Sequence, residues 1–176
     1  MIISPRNEFT PLEAKTLNVL ENAVRRPRAL ELINDVVRRI EPELTNTDSL
    51  MCWEPLDLSA FGNLPNTIKS SWVFILKANT TSGAERHPNS HQRMVSFRGV
   101  GDFQVRRRSK WYSRYLVSEE DTQLTKKWIS IPKNVWHQGV VGPENWVVVS
   151  FHTVLADELI EERPTSDNDF VQTTYI

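Results

Sequence analysis

The stretch QRMVSFRGVGDFQVRRRSKWYSRYLV (92–117) predicts three consecutive β-strands, separated at Gly99 and at a second turn in the RRRS run (106–109). β-Branched and aromatic residues, which strands favour, recur throughout it. Along its first strand every second side chain, from Gln92 to Arg98, should point to the same face. The stretch therefore predicts strands joined by short turns.

Segments on both sides have the same character, namely SWVFILKA (71–78), KWISI (127–131) and NWVVVSFHT (145–153). Turn-forming residues separate them, and no helical pattern long enough for a parallel βαβ unit intervenes. Many short strands with turn signals are typical of an antiparallel sandwich or barrel. We therefore predict a mainly β fold.

The first 50 residues have a helical pattern instead. Thr10-Pro11-Leu12-Glu13 has the form of a capping box, in which the Thr10 side chain accepts from the Glu13 amide while Glu13 reaches back. Apolar residues at helical spacing follow, and Pro27 interrupts them before a second helix that ends at Pro42. Two helices are therefore expected before the strands.

Two roles compete for this helix pair. Its arginines, among them Arg25, Arg26 and Arg38, would suit the phosphate contacts of a DNA-reading helix pair. Acidic residues such as Glu21 and Asp35 lie between them and cancel the positive field. We therefore favour a cover that packs on a larger domain.

These patterns divide the chain in two. We predict a helical extension packed on the barrel (1–50) and a β-barrel with a C-terminal tail (51–176). We also expect an irregular connector over residues 43–70 and a surface-bound or partly mobile tail over residues 155–176.

Composition excludes several classes of protein. The chain has 21 Lys and Arg against 22 Asp and Glu, a balance that argues against bulk attraction to nucleic acid or to a membrane surface. Its one cysteine, Cys52, excludes an internal disulfide framework. The start MIISPRNEF lacks a signal-peptide pattern, and no run approaches the roughly 18 apolar residues of a membrane span. We expect a cytoplasmic protein that binds neither nucleic acid nor membranes.

Two stretches contain most of the residues capable of chemistry, GAERHPNSHQ (83–92) and IPKNVWHQG (131–139). In a strand, residues two apart point the same way about 6.6 Å apart. Glu85 and His87 can therefore converge on one ion.

These stretches resemble the two metal-binding motifs of the cupin superfamily, whose members are small jelly-roll β-barrels. The second family motif, Pro-x-Gly-x-x-His, matches Pro132 and His137 at the family spacing. Asn134 replaces the turn glycine, an exchange that the left-handed backbone region tolerates. The resemblance implies a double-stranded β-helix (jelly-roll) barrel, with the motifs spanning about residues 71–153.

The first family motif contains a Gly, His-x-His, a Glu and a second Gly. Counting back from Gly99 places Gln92 at the family's Glu, His87 at the second His and Glu85 at the first His. The resemblance thus implies that Glu85, His87, Gln92 and His137 are the metal ligands. Gln92 is a neutral carbonyl donor, so it either binds more weakly than a carboxylate or orients another ligand.

An alternative ligand set stays open. His87 and His91 share a face, but an extended chain would set them about 13 Å apart. They could share a metal with His137 only if Pro88-Asn89-Ser90 turns, and that segment is turn-like. The set His87, His91 and His137 is therefore retained.

Two imidazoles and one carboxylate suit a divalent metal ion, whether Fe, Mn, Ni or Zn. We expect His91, Arg98 and His152 to bind the ligand, with Arg98 on the same face as Gln92.

One predicted function is a metal-binding cupin that acts on a small molecule, as a dioxygenase- or isomerase-type enzyme. The other is a non-catalytic module that binds or senses a small ligand without metal. The resemblance also implies a homodimer.

Overall fold

The computed structural model describes residues 9–165 and 169–175. Three of its segments are α-helical: α1 (Pro11–Val24), α2 (Pro27–Ile40) and the short α3 (Leu124–Lys127). The strands are β1 (Met51–Pro55), β2 (Ser70–Leu76), β3 (Gln92–Arg98), β4 (Gly101–Arg107), β5 (Lys110–Leu116), β6 (Trp128–Ile131), β7 (His137–Val141), β8 (Trp146–His152), β9 (Ile160–Pro164) and β10 (Phe170–Thr174). This order confirms a mainly β fold preceded by two helices.

The strands form three antiparallel sheets. Five strands pair in the order β1-β2-β8-β3-β6, three in the order β5-β4-β7, and β9 pairs with β10 alone. The turn between β4 and β5 holds Arg108 in the left-handed region, with φ of 53°. The hairpin predicted over 101–117 is therefore present.

The two larger sheets face each other across one apolar core. From the five-stranded sheet it receives Trp72, Phe74, Leu76, Met94, Ile129 and Val148, and from the three-stranded sheet Phe103, Leu116 and Val141. A Cβ at Gly101 would lie 2.2 Å from a ring carbon of Trp146, so only glycine lets this strand approach the indole. The two faces enclose the barrel interior.

The opposite face of the five-stranded sheet packs against the helices. Buried residues from α1 and α2, including Leu17, Leu20 and Ile33, share a second core with the sheet residues Val73, Ile75, Val95, Val149 and Phe151. Strand alternation explains this division, because neighbouring residues of one strand point to opposite faces. The helices therefore cover the outside of the barrel, whereas the division of the chain at residue 50 stays a prediction.

The predicted capping box forms only in part. Thr10 Oγ1 accepts a hydrogen bond from the Glu13 amide at 3.2 Å. The Glu13 carboxylate turns away from the helix terminus and accepts from Arg93 at 2.7 Å and from the Ser130 hydroxyl at 2.6 Å. Because a buried arginine needs a counter-charge, the tertiary ion pair replaces the local bond.

The connector, predicted to be irregular, and the tail, predicted to be surface-bound or partly mobile, both contain strands. The connector contains β1, which adds to the edge of the five-stranded sheet beside β2. The tail contains β9 and β10, although residues 166–168 and 176 lie outside the described part of the chain. In both segments the strands are short and lie among Pro, Asn or acidic residues, so local propensity does not reveal them.

No helix in the described ranges is long and apolar enough to cross a membrane.

Candidate metal centre

A backbone bridge between two segments brings Glu85, His87 and His137 together. The Glu85 amide donates to the His137 carbonyl at 2.9 Å, and the His137 amide donates to the Glu85 carbonyl at 2.8 Å. The Asn134 amide donates to the His87 carbonyl at 3.0 Å, and Asn134 has φ of 63°. Asparagine thus occupies the left-handed turn position, as the sequence predicts.

The three side chains converge on one point. One ligand atom from each of Glu85, His87 and His137 lies within 4.8 Å of the others. The imidazole centroids of His87 and His137 are 5.4 Å apart, and His137 Nε2 is 3.4 Å from Glu85 Oε1. Both histidines are buried. Two imidazoles and one carboxylate therefore lie close enough to bind one ion.

The hydrogen bonds of the two histidines fix which nitrogen faces the cluster. His87 Nδ1 lies 3.0 Å from the Ile160 carbonyl, and His137 Nδ1 lies 2.9 Å from the Val135 carbonyl. A carbonyl only accepts, so each Nδ1 must carry the proton and, in the neutral ring, each Nε2 keeps its lone pair. Both Nε2 atoms are buried without a hydrogen-bond partner. A carbonyl that fixes the tautomer is the usual outer contact of a metal-binding histidine.

Burial also keeps His87 neutral. Loss of solvent, followed by the charge of His137, lowers the pKa of His87 to about 4. A neutral imidazole is the form that binds metal. At neutral pH His87 is therefore ready to ligate without first losing a proton.

Glu85 is held as a carboxylate. Burial alone would raise its pKa, but His137, His87 and Arg163 outweigh that effect and lower it. Arg163 Nη2 donates to Glu85 Oε2 at 2.7 Å. Oε1, on the His137 side, remains available to an ion.

Gln92 lines a small cavity beside this cluster. Its Oε1 is buried and has no hydrogen-bond partner. The cavity has a volume of about 20 Å³, which is room for one water molecule. The other lining residues include Glu85 and His137 and the apolar core residues Phe74, Met94, Phe103, Trp146 and Val148. The predicted neutral ligand thus faces the same interior space.

His152 lies in the barrel interior beside His87, with ring centroids 5.1 Å apart. Its Nδ1 is 3.3 Å from Ser90 Oγ and its Nε2 is 3.1 Å from Ser150 Oγ. Burial, followed by the charges of the other histidines, lowers its pKa well below the usual value. Because both of its nitrogens are hydrogen-bonded, His152 packs beside the cluster and does not offer it a ligand atom.

His91 and Arg98 lie outside the cluster. His91 Nε2 contacts Ser130 Oγ at 2.7 Å, on the face covered by α1, so the alternative set of three histidines does not come together. The prediction that Arg98 shares a face with Gln92 was wrong. A β-bulge shifts the register, because Ser96 pairs with Val148 whereas Arg98 pairs with Val147. Arg98 therefore reaches Glu41 on the helix side.

Sequence reasoning missed three residues of the C-terminal hairpin. Arg163 contacts Glu85, Glu161 accepts from Arg163, and the Tyr175 hydroxyl donates to Glu161. The Tyr175 ring lies 6.2 Å from that of His87. The contacts of Arg163 with Glu85 and of Tyr175 with His87 join residues more than seventy positions apart in the chain, and no sequence motif in the tail indicates them.

Comparison with known proteins identifies solved structures with a similar architecture. No protein-family model matches the chain, and no curated protein matches it either. Among solved structures, the coconut allergen cocosin is 17% identical with a TM-score of 0.52, over 70% of this chain and 31% of that one. Oxalate oxidase in complex with the substrate analogue glycolate is 17% identical with a TM-score of 0.48, over 62% of this chain and 53% of that one.

CapF from Staphylococcus aureus, a capsular polysaccharide assembling protein, is 17% identical with a TM-score of 0.49, over 64% of this chain and 28% of that one. The matched parts of these proteins span about half of their length or less. All three are members of the cupin superfamily. The likeness to cocosin, together with the antiparallel sheets, shows that the chain has the cupin fold and confirms the resemblance found in the sequence. The fold by itself does not specify an activity.

Proposed function

We propose that this chain is a metal-binding cupin that acts on a small molecule at the centre formed by Glu85, His87 and His137. One observation carries the proposal. Two buried imidazoles expose unpartnered Nε2 atoms to the same carboxylate, while backbone carbonyls hold both Nδ1 protons. Unpartnered buried polar atoms are rare in native proteins and are costly without a ligand.

The donor set fits a divalent ion of the iron, manganese, nickel or zinc type. His87 and His137 would bind through Nε2 and Glu85 through Oε1, with Gln92 Oε1 as a neutral fourth donor. Arg163 holds the other carboxylate oxygen and so orients Glu85. When bound, such an ion supplies Lewis acidity or, if it is redox-active, activation of dioxygen.

A centre with few protein ligands leaves coordination positions for a substrate. This supports a dioxygenase- or isomerase-type enzyme as the finer proposal. The predicted small-molecule ligand and the predicted homodimer stay predictions.

Metal content tests the proposal. The protein is stripped with a chelator, re-supplied separately with Fe²⁺, Mn²⁺, Ni²⁺ and Zn²⁺, desalted and analysed by elemental mass spectrometry. We expect one ion per chain in the unaltered protein and in His91→Ala, a matched control whose imidazole lies outside the cluster. We expect the ion to be lost in His87→Ala and in His137→Ala.

Absence of any metal after re-supply would overturn the proposal and leave the non-catalytic binding module. Full metal content in both cluster variants would also overturn it, because the ion would then lie elsewhere.

A further inference from the structure

A second, larger cavity lies outside the candidate metal centre. It encloses about 400 Å³, within the usual range for small-molecule sites. Two residues, Met51 and Ser82, line both this outer pocket and the small cavity beside Gln92. The outer pocket therefore adjoins the metal centre and is large enough for an organic ligand.

Arg163 supplies the positive charge of the outer pocket, and not all of its N–H donors are hydrogen-bonded to described residues. Its guanidinium has five N–H donors. Nε donates to Glu161, Nη1 to the Ser82 carbonyl at 3.1 Å and Nη2 to Glu85 at 2.7 Å. Two donors are left without a partner among the described residues, and 37% of the side chain is exposed. Free guanidinium N–H groups are suited to bind a carboxylate.

The rest of the outer pocket is largely apolar. Leu50 and Trp53 are 44% and 42% exposed, and the Tyr175 ring lies 5.7 Å from the indole of Trp53. Met51 completes this side of the pocket. A ligand bound to Arg163 would thus place an apolar body against an aromatic and aliphatic wall.

Charge decides which ligand the pocket takes. Glu85 and Glu161 carry two formal negative charges against the single positive charge of Arg163, so the local sum is −1. A divalent ion at the candidate metal centre would change that sum to +1. The loaded site then favours a ligand with one negative charge.

We propose that the outer pocket binds a monocarboxylate with an apolar body, held by the free donors of Arg163 and packed against Trp53. This inference rests on the proposed metal centre, because the bound ion supplies the charge balance. It assigns the ligand to a position beside the ion and not to the small interior cavity.

Calorimetric titration of the Zn²⁺-loaded protein with benzoate, and with benzamide as the neutral isostere, tests the proposal. We expect benzoate to bind at least tenfold more tightly than benzamide, and more weakly once Zn²⁺ is removed. In Arg163→Gln the preference for benzoate should disappear. Arg106→Gln is the matched control, since Arg106 is exposed and lines a different pocket.

Because Arg163 also holds two carboxylates, its variant could unfold. Leu50 provides an independent test at an exposed position. Leu50→Glu should weaken benzoate binding about threefold and Leu50→Lys should strengthen it about threefold, with benzamide unaffected, as expected for one partly exposed charge.

Stoichiometric Zn²⁺ without saturable benzoate binding would overturn this inference while leaving the metal centre intact. Benzoate binding that neither Leu50 variant alters would also overturn it, because the carboxylate would then bind elsewhere, for example directly to the ion. Failure to retain any of Fe²⁺, Mn²⁺, Ni²⁺ and Zn²⁺ would overturn the proposed function itself.

Discussion

The two faces of the five-stranded sheet differ in whether the buried polar groups beside them have partners. On the face covered by the helices, the buried charges are paired. On the face inside the barrel, His87 Nε2, His137 Nε2 and Gln92 Oε1 have no hydrogen-bond partner. One chain thus builds both kinds of environment on the two sides of the same strands.

The helix-facing side is organised around two glutamates of α1. Glu13 accepts two hydrogen bonds from Arg93, at 2.7 and 2.9 Å, and one from Ser130. Glu21 accepts from Lys127 at 2.5 Å and from the Trp128 indole at 2.7 Å. Apart from one terminal nitrogen of Arg93, these groups satisfy one another.

The comparison shows where this chain supplies partners for buried polar groups and where it does not. Where a buried charge serves structure, the chain supplies its counter-charge from a residue distant in sequence. At the cluster it supplies counter-contacts only to the Nδ1 atoms and leaves the Nε2 atoms open. Two imidazole nitrogens that lie without a hydrogen-bond partner beside one carboxylate indicate a ligand site.

Removal of a partner on the helix side should have the largest effect. Glu13→Ala leaves Arg93 buried without its counter-charge, so we expect the free energy of unfolding to fall by about 3–5 kcal/mol. Urea titration followed by circular dichroism measures it. Asp35→Ala is the control, since its ion pair with Arg38 is exposed and should contribute less than about 1 kcal/mol. Equal effects of the two variants would show that the helix-side network is not structural.

Acid should destabilise the metal-free protein because His87, inside the barrel, binds a proton less readily in the folded chain than in the unfolded chain. The pKa of His87 is about 4 in the folded chain against 6.5 for an ordinary histidine, so the unfolded chain binds the proton first as pH falls. Stability from this group is complete above about pH 6.5, decreases below it and is lost by about pH 4, for a total of about 3 kcal/mol. Urea titrations at pH 7 and pH 4.5 measure the decrease.

His87→Gln should show a smaller decrease over this interval, although His152 still contributes to it. If the variant loses as much stability as the unaltered chain between the two pH values, His87 is not the group that titrates.

Removal of an unpartnered group should have the smallest effect on stability. Gln92→Met deletes a buried carbonyl that bonds to nothing in the described structure, so the metal-free protein should change by less than about 1 kcal/mol. The same variant should bind metal about tenfold more weakly. Thermal unfolding with and without Zn²⁺ separates the two effects. A large loss of stability without metal would mean that Gln92 is a structural residue.

The sequence was informative where a structural feature depends on residues close together in the chain. Strand alternation and turn residues predicted the hairpins over 92–117, and counting from Gly99 placed Glu85 and His87 where the structure has them beside His137. The bulge between Ser96 and Arg98 was not predictable, because a single extra residue leaves no local signal.

Long-range contacts account for the other omissions. The orientation of His91 depends on Ser130 and on α1, and the contact of Arg163 with Glu85 depends on where the C-terminal hairpin docks. Neither follows from periodicity or from motif spacing. The tail therefore looked like an acidic surface segment, although it completes the surroundings of the site.

Diffraction from metal-loaded crystals, recorded on both sides of the metal's absorption edge, tests the central claim most directly. The account predicts one anomalous peak per chain, about 2.0–2.2 Å from Nε2 of His87, Nε2 of His137 and Oε1 of Glu85. A peak bound by His91 or by a surface site, with the Nε2 atoms of His87 and His137 still unpartnered, would contradict it.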